Sequence, residues 1–333
     1  MSLNVKRLAT ISTAAAALLL SAPPPGLAQS KDKTARIGIL VGGSYAQRGH
    51  LEQALLQGLR EQGYVEGRNL VIERRYAEGL RERVPEYARE LASMKLDAVV
   101  TTCTPSTRAA RQATASTPIV MAAVADPVGQ NLIASLARPG GNITGLSSQA
   151  EDILPKMMEL LSGVLPRAAT VAVLAETRSD VHPRMWQRLA PIAEALKLKL
   201  VRIDVASAAE LPAAFDRAVR EKAGAIFVLP DEPMFLTRRA AIVELAAKHR
   251  LPAFYGAREF VDEGGLMSYG ENLRAAYRNA ASYISNVTPG AKPGQLPVEQ
   301  PTRFELVVNL RTAKALGITI PQSMLLRADE VIQ

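Results

Sequence analysis

The sequence contains very little cysteine or histidine. Cys103 is its single cysteine, and its three histidines, His50, His182 and His249, lie far apart in the chain. One cysteine excludes an intramolecular disulfide and a cysteine-based zinc site, and no HExxH pattern is present. The GxGxxG and phosphate-loop signatures are absent as well. We therefore predict neither a bound metal nor a cofactor.

Aromatic residues are also scarce, at 5% of the chain, which disfavours stacking platforms for single-stranded nucleic acid. The net charge is +8, but the basic residues are scattered and form no run that would track a phosphate backbone. We predict no nucleic-acid partner. The excess charge indicates a solvated surface, and weak adhesion to anionic membranes is the alternative interpretation.

Apart from the N-terminus, the chain has no long apolar run. Lys6 and Arg7 precede the apolar stretch 8–22, three prolines break it at 23–25, and small residues lead up to Ala28. This layout predicts a secretory signal peptide over residues 1–28 and a mature protein in the periplasm. An N-terminal membrane anchor is the alternative, although a span needs about 20 apolar residues. Without a cysteine near Ala28, no lipid anchor is expected.

Downstream of residue 34, short apolar segments alternate with amphipathic ones. This alternation predicts an α/β fold with parallel sheets covered by helices on both faces. The 333 residues suffice for about two domains, and the pattern restarts near residue 146. The predicted strands are 36–41, 69–76, 97–101, 118–124, 143–146, 170–174, 199–205, 225–229, 252–255, 266–269 and 304–310. A short helix is predicted near 131–136, after the fourth of these strands.

We expect two doubly wound lobes joined by a hinge with several chain crossings. The first lobe is predicted to comprise 34–146 and 264–297, and the second 147–263 and 298–333. A C-terminal tail too short for its own core must rejoin the existing lobes. A hinge of this kind allows two lobes to close around a ligand.

The stretch Ala98–Pro105 is the most informative part of the sequence. A fully apolar strand stops at hydroxyl groups, and Pro105 suits the first turn of a helix running to about Thr114. We expect Thr104 to cap that helix. The end of a parallel strand at a helix N-terminus favours a carboxylate ligand, so Thr102–Ser106 is a candidate site. An ordinary βα turn with a capping threonine is the alternative.

Other predicted strands also end in polar groups. In a doubly wound sheet these strand ends share one edge, and they would line a cleft if the two lobes face each other there. Ser44, Thr102 and Thr104 are candidate donors to a ligand carboxylate. Asp126, Asp231 and Glu259 are candidate acceptors for an ammonium group, with helix capping or turn formation as the alternative role. The strand-end set is Gly43, Ser44, Tyr45, Thr102, Thr104, Asp126, Glu176, Asp231, Tyr255, Arg258 and Glu259.

Enzymatic function has weaker support. No GxSxG nucleophile elbow occurs. Cys103 stands before a helix N-terminus, which would stabilise a thiolate, but no histidine is near it in sequence. A buried small hydrophobe is the alternative role of this cysteine. We predict that the protein is not an enzyme.

Several longer phrases resemble a known family. They are QGLREQGYVEGRN at 57–69, DPVG at 126–129, ARPGGNITG at 137–145, YGAREF at 255–260, GLMSYG at 265–270 and FELVVNL at 304–310. With these motifs the chain resembles the ABC-transporter substrate-binding proteins of the tryptophan/tyrosine-uptake type. The resemblance implies a type I periplasmic binding-protein fold with three crossovers, one ligand between two lobes, no catalysis, and a membrane permease with its ATPase as partners.

The resemblance also implies which positions face the ligand, and two phrases, 176–178 and the loop 231–234, depart from the best-known aromatic amino acid binders. Those carry Asn-Pro where this chain has Glu176-Thr177-Arg178. We expect a monomer that captures a small carboxylate-bearing ligand, an amino acid or an aromatic acid. A ligand sensor presenting its closed state to a membrane receptor is the alternative. The implied ligand-facing positions are Gly43, Ser44, Tyr45, Thr102, Cys103, Thr104, Asp126, Pro127, Glu176, Asp231, Tyr255, Arg258 and Glu259.

Overall fold

The structure is a computed structural model that describes residues 34–166 and 169–333. The predicted signal peptide, 1–28, lies outside the described residues. Within the described ranges, none of the helices combines the length and the apolar character needed to cross a membrane.

The first lobe is built on a parallel sheet whose strand order is β2-β1-β3-β4-β5. The helices α1 (Tyr45–Glu61), α2 (Arg83–Ser93) and α3 (Thr104–Ala113) connect its first four strands. The strands are β1 (Ala35–Val41), β2 (Leu70–Tyr76), β3 (Ala98–Thr101), β4 (Ile119–Ala125) and β5 (Ile143–Ser148).

The second lobe is built on a sheet in the order β12-β11-β10-β9-β8-β6-β7. Its strands are β6 (Thr170–Glu176), β7 (Lys199–Val205), β8 (Ala225–Val228), β9 (Ala253–Tyr255), β10 (Met267–Glu271), β11 (Phe304–Asn309) and β12 (Glu330–Ile332). Its helices are α4 (Leu154–Ser162), α5 (His182–Ala195), α6 (Leu211–Arg220), α7 (Pro233–Thr237), α8 (Arg239–Lys248) and α9 (Glu259–Asp262), followed by α11 (Leu310–Leu316) and α12 (Gln322–Leu325).

Both sheets are therefore doubly wound. In each, the second strand is added on one side of the first strand, and the later strands are added on the other side. In such sheets the ligand crevice lies outside the carboxyl ends of the strands at the switch point. That point lies between β1 and β3 in the first lobe and between β6 and β8 in the second. The predicted two-lobed α/β architecture is confirmed.

One strand departs from the expected parallel arrangement. Strand β11 runs antiparallel to β10, with Glu271 opposite Phe304. The direction reverses because β10 ends at the cleft and the chain leaves for the first lobe there. When the chain returns, it enters the second lobe from the cleft side and must run the opposite way along its neighbour.

The chain crosses between the sheets three times, after β5, after β10 and before β11. The first and third crossings are hydrogen-bonded to each other, since the Ser147 amide donates to the Glu299 carbonyl over 2.8 Å. The Thr144 hydroxyl also donates to the Leu296 carbonyl over 2.8 Å. These bonds bind the two crossings into one hinge.

The second crossing divides a segment that we predicted to belong entirely to the first lobe, 264–297. Helix α10 (Leu273–Val287) does pack on α1 in that lobe. Strand β10, however, pairs with β9 and β11 in the second sheet. The boundary between the lobes therefore falls after Glu271, because the apolar strand continues the second sheet and the helix covers the first.

The lobe cores follow the predicted periodicity. Leu51, Leu55 and Leu59 form one stripe of α1 and are buried against β1 residues such as Ile37. Burial of each such side chain stabilises the fold by about 1.5–3 kcal/mol. Helix α1 ends where Gly63 adopts φ 81°, a left-handed conformation that glycine tolerates.

Two local predictions are wrong. Thr104 is the first residue of α3 rather than its cap, and the Ser106 hydroxyl instead accepts hydrogen bonds from the amides of Thr102 and Cys103. The predicted short helix at 131–136 is a series of turns. Asn131 there has φ 54°, which a continuous right-handed helix does not allow.

Candidate functional site

A cavity of about 80 Å³ lies between the lobes, at the switch points of both sheets. Residues after β3 form one side of it, and residues 228–233, which begin at the last residue of β8, form the other. The crossings contribute Gln149 and Glu271.

The first lobe contributes a cation and two hydroxyl groups to the cavity. Arg48 reaches it from the first turns of α1, and its Nε is buried without a hydrogen-bond partner. Thr102 follows β3, and the buried Tyr277 hydroxyl on α10 is likewise unpartnered. Burial raises the pKa of Tyr277, while nearby Arg48 opposes that shift, so the phenol remains a neutral donor. Arg48 makes no ion pair with any residue in the described ranges.

The second lobe contributes Asp231, the third residue after β8, which has φ 67°. Its Oδ2 accepts a hydrogen bond from the Ser148 hydroxyl of the first lobe over 2.7 Å. Burial raises the pKa of Asp231 to about 6, against the opposing effects of Ser148 and Arg48. The carboxylate borders the cavity and is ready to accept a further donor.

Glu271, the last residue of β10, places a second carboxyl group on the cavity wall. Within the described chain its side chain makes no hydrogen bond or ion pair. Burial raises its pKa to about 8, and the negative charges of Asp231 and Glu259 add to that shift. Glu271 is half-buried, and a carboxyl group largely removed from water is costly when no partner compensates it.

The remaining wall is apolar and rich in aromatic rings. Phe235 and Phe260 approach from the second lobe, and Phe304 opens β11 at the hinge. Ile153 and Leu236 complete this side. A few convergent polar groups on an apolar wall are typical of a small-molecule site.

Three of the residues predicted from sequence line the cavity. They are Thr102 and Cys103 after β3, and Asp231 after β8. The Cys103 Sγ lies 3.2 Å from the Ser106 hydroxyl. The structure thus brings together the strand ends at the two switch points.

Four further predicted residues from the first lobe do not line the cavity. Gly43 packs behind Arg48, since a Cβ there would meet the Arg48 Nε at 3.0 Å. The Ser44 hydroxyl is buried without a partner, and Thr104 is buried in α3. Tyr45 is 51% exposed and packs edge-on against Tyr76.

Asp126, Pro127 and Glu176 are turned away from the cavity by other interactions. Asp126 forms an ion pair with Arg184 over 2.8 Å, and it borders a separate surface pocket together with Pro127. Glu176 forms ion pairs with Arg81 over 3.1 Å and with a neighbouring arginine. Both carboxylates therefore join the lobes at the cleft rim, where charged partners face them.

The last three predicted residues support the second lobe. Tyr255 is buried and stacks on Phe260 with ring centroids 4.5 Å apart. Glu259 is buried and contacts His50 Nε2 over 3.3 Å. Arg258 forms ion pairs with Glu330 and Asp262 near the surface, at 2.9 and 3.4 Å.

Sequence reasoning missed Arg48 and Glu271. A signal for Arg48 was present, because it falls on the same helical stripe as Leu51 and Leu55, where a charge is unexpected. Glu271 was missed because the predicted strand 266–269 ended two residues before β10 does. Glu271 was therefore not counted among the polar residues at the predicted strand ends.

Comparison with known proteins identifies the family. The family model of the ABC transporter substrate binding protein matches residues 37–332. The tyrosine-binding protein of Clostridioides difficile (strain R20291) is 27% identical over 270 residues, covering 80% of this chain and 76% of that protein.

Two solved structures are also similar. A conserved domain protein from Vibrio cholerae O1 biovar El Tor is 30% identical, with a TM-score of 0.84 over 90% of this chain and 100% of that one. The ABC domain from Streptococcus pneumoniae in complex with L-Trp is 29% identical, with a TM-score of 0.80 over 89% of this chain and 100% of that one. This chain, with its type I periplasmic binding-protein fold, belongs to the substrate-binding proteins of the ABC transporter family.

Proposed function

We propose that this protein is the extracytoplasmic receptor of an ABC importer and captures an amino acid or an aromatic acid between its lobes. The observation that carries the proposal is the charge arrangement of the cavity. Arg48 approaches from the first lobe, whereas Asp231 and Glu271 approach from the second lobe and the hinge. The two signs of charge suit the two ends of a small zwitterion, and the apolar wall suits its side chain.

The ligand carboxylate would bind to the Arg48 guanidinium and to the Thr102 and Tyr277 hydroxyls. A charge-assisted bond from arginine is roughly twice as strong as a neutral hydrogen bond. Arg48 is 6% exposed and has no ion-pair partner among the described residues, so a ligand carboxylate would relieve a buried charge. Lobe closure would remove this pair from water and strengthen it.

The relatives support the same ligand class. One is called a tyrosine-binding protein and another was solved in complex with L-Trp. The cavity has the aromatic walls Phe235, Phe260 and Phe304, against which an apolar or aromatic side chain would pack. No catalytic step is proposed.

The proposed location is the periplasm, with the signal peptide removed near Ala28 and no lipid anchor. The closed receptor would act as a monomer and deliver its ligand to the permease and ATPase subunits. N-terminal sequencing of the exported protein tests the cleavage site. Size-exclusion chromatography with light scattering tests the monomer.

The ligand is tested by mass spectrometry of small molecules released on denaturing the purified protein, followed by titration calorimetry. We expect an amino acid or an aromatic acid to co-purify or to bind. A ligand at 100 times its dissociation constant adds about 2.7 kcal/mol of stability, which a thermal shift detects. Absence of binding across the twenty amino acids and their amine-free analogues would refute the proposal.

A further inference from the structure

Glu271, which is half-buried, differs from several other buried or half-buried acidic residues of the described chain. Glu52 bonds to Arg74 over 2.7 Å, Glu232 to Arg81 over 3.0 Å, and Glu259 to His50 over 3.3 Å. Asp231 has the Ser148 hydroxyl. Glu271 alone among these has no partner in the described chain, although it borders the cavity.

We propose that Glu271, together with Asp231, receives the ammonium group of the ligand and thereby selects amino acids over the corresponding amine-free acids. This inference rests on the proposed function and names the ligand class within it. An ammonium group carries three donors, and the two carboxyl groups supply acceptors from the second lobe and from the hinge.

The position of Glu271 in the chain supports this role. It is the last residue of β10, and the next residue, Asn272, caps helix α10 of the first lobe. The Asn272 Oδ1 accepts from the Ala275 amide over 2.9 Å, and its Nδ2 donates to Glu305 over 2.7 Å. Asn272 is thus hydrogen-bonded both to α10 in the first lobe and to β11 in the second. These bonds fix the backbone next to Glu271.

The charges around Glu271 determine its protonation. Asp231, after β8, and Glu259, on α9, both raise its pKa in addition to burial, to about 8. Arg48 on α1 and the Tyr277 hydroxyl on α10 border the same cavity, and His50 Nε2 lies 3.3 Å from the Glu259 carboxylate. At pH 7 the empty protein therefore holds a proton on Glu271, and an arriving ammonium would displace it.

The decisive experiment compares ligands that differ only in the amino group. Titration calorimetry at pH 7 would use L-tryptophan against indole-3-propionate, L-tyrosine against 3-(4-hydroxyphenyl)propionate, and L-phenylalanine against 3-phenylpropionate. The wild-type protein is expected to prefer the amino acid of the best pair by at least about 100-fold. Glu271→Gln should reduce that preference at least tenfold, because the amide cannot compensate the ammonium charge. The control Glu90→Gln, on the surface of the first lobe, should leave it unchanged.

Proton release provides a measurement that needs no variant. Repeating the wild-type titration in buffers of different ionisation enthalpy should show up to one proton released per amino acid bound and none per amine-free acid. Equal affinity for both members of every pair, or an unchanged preference in Glu271→Gln without proton release, would overturn the role of Glu271 but leave the proposed function standing. Binding of neither member of any pair would overturn both.

Discussion

Arg81 of the first lobe lies across the cleft from Glu232 of the second, with its Nη2 3.0 Å from the Glu232 Oε2. The same nitrogen is 3.1 Å from Glu176, and Nη1 donates to the Arg178 carbonyl over 2.7 Å. Burial and the neighbouring Glu176 raise the pKa of Glu232 to about 7, although Arg81 opposes this shift. One arginine thus ties the carboxyl ends of β6 and β8 to the first lobe.

Arg81→Ala is expected to speed ligand release at least about tenfold, because loss of a buried charge pair acts mainly on dissociation. Stopped-flow dissociation rates would measure this, and small-angle scattering would show a larger average radius of gyration with ligand present. Arg75→Ala is the control, since its 2.6 Å ion pair with Glu90 stays within the first lobe. An unchanged release rate in Arg81→Ala would show that this contact does not hold the lobes together.

The empty protein should lose stability as pH rises towards 8. A carboxyl group whose pKa is higher in the folded than in the unfolded state binds more protons when folded, so raising the pH favours unfolding. Glu271, with a pKa of about 8 against an ordinary value of 4.5, does this between about pH 4.5 and 8. Thermal melts of Glu271→Gln should show a smaller decline over that window and a higher melting temperature at pH 8. Parallel curves for the two proteins would contradict the assigned burial.

Asp231→Asn and Thr102→Val should each weaken ligand binding about tenfold or more without unfolding the protein, since each removes one polar contact. Asparagine is the suitable replacement because Asp231 has φ 67°, a conformation that asparagine tolerates. Valine keeps the shape of Thr102. Calorimetry measures the affinity, and Thr302→Val, at an exposed position, is the control. Wild-type affinity in both variants would remove these residues from the site.

Gly58→Ala should destabilise the first lobe, because α1 and α10 touch there. A Cβ at residue 58 would meet the Arg278 carbonyl oxygen at 2.2 Å. Overpacking of this kind costs about 1–3 kcal/mol, more than the helix propensity that alanine adds. Chemical denaturation would measure the loss, with Gln53→Ala on the exposed face of α1 as the control. A gain in stability would mean that α10 can move away.

The sequence predicted much of the fold because its signals are local. The stripe formed by Leu51, Leu55 and Leu59 indicates a helix wherever it is read, and the apolar run before Thr102 indicates a buried parallel strand. The direction of β11 was not predictable in this way. It depends on the side from which the chain re-enters the sheet, which no local pattern records.

The candidate site likewise contains residues that local sequence patterns predict and residues that they do not. Thr102, Cys103 and Asp231 were found from sequence because each follows a recognisable strand, and parallel strands share an edge. Glu176 also stands at a strand end, but its carboxylate forms an ion pair with Arg81, a residue 95 positions away. Whether a strand-end carboxylate faces a ligand or an arginine depends on which side chains from the other lobe reach it.

By itself, the sequence determined the two-lobed α/β architecture, the family and several of the strand ends that border the candidate site. It could do so because hydrophobic periodicity, turn residues and contiguous motifs are properties of neighbouring positions. Only the tertiary structure decided which ionisable groups remain without partners. Arg48 and Glu271 lie on a helix and a strand separated by more than two hundred residues, and three chain crossings bring them to one cavity. The two side chains meet at this cavity without compensating partners only when the lobes come together, and under the proposed function they are the groups that a zwitterionic ligand would contact.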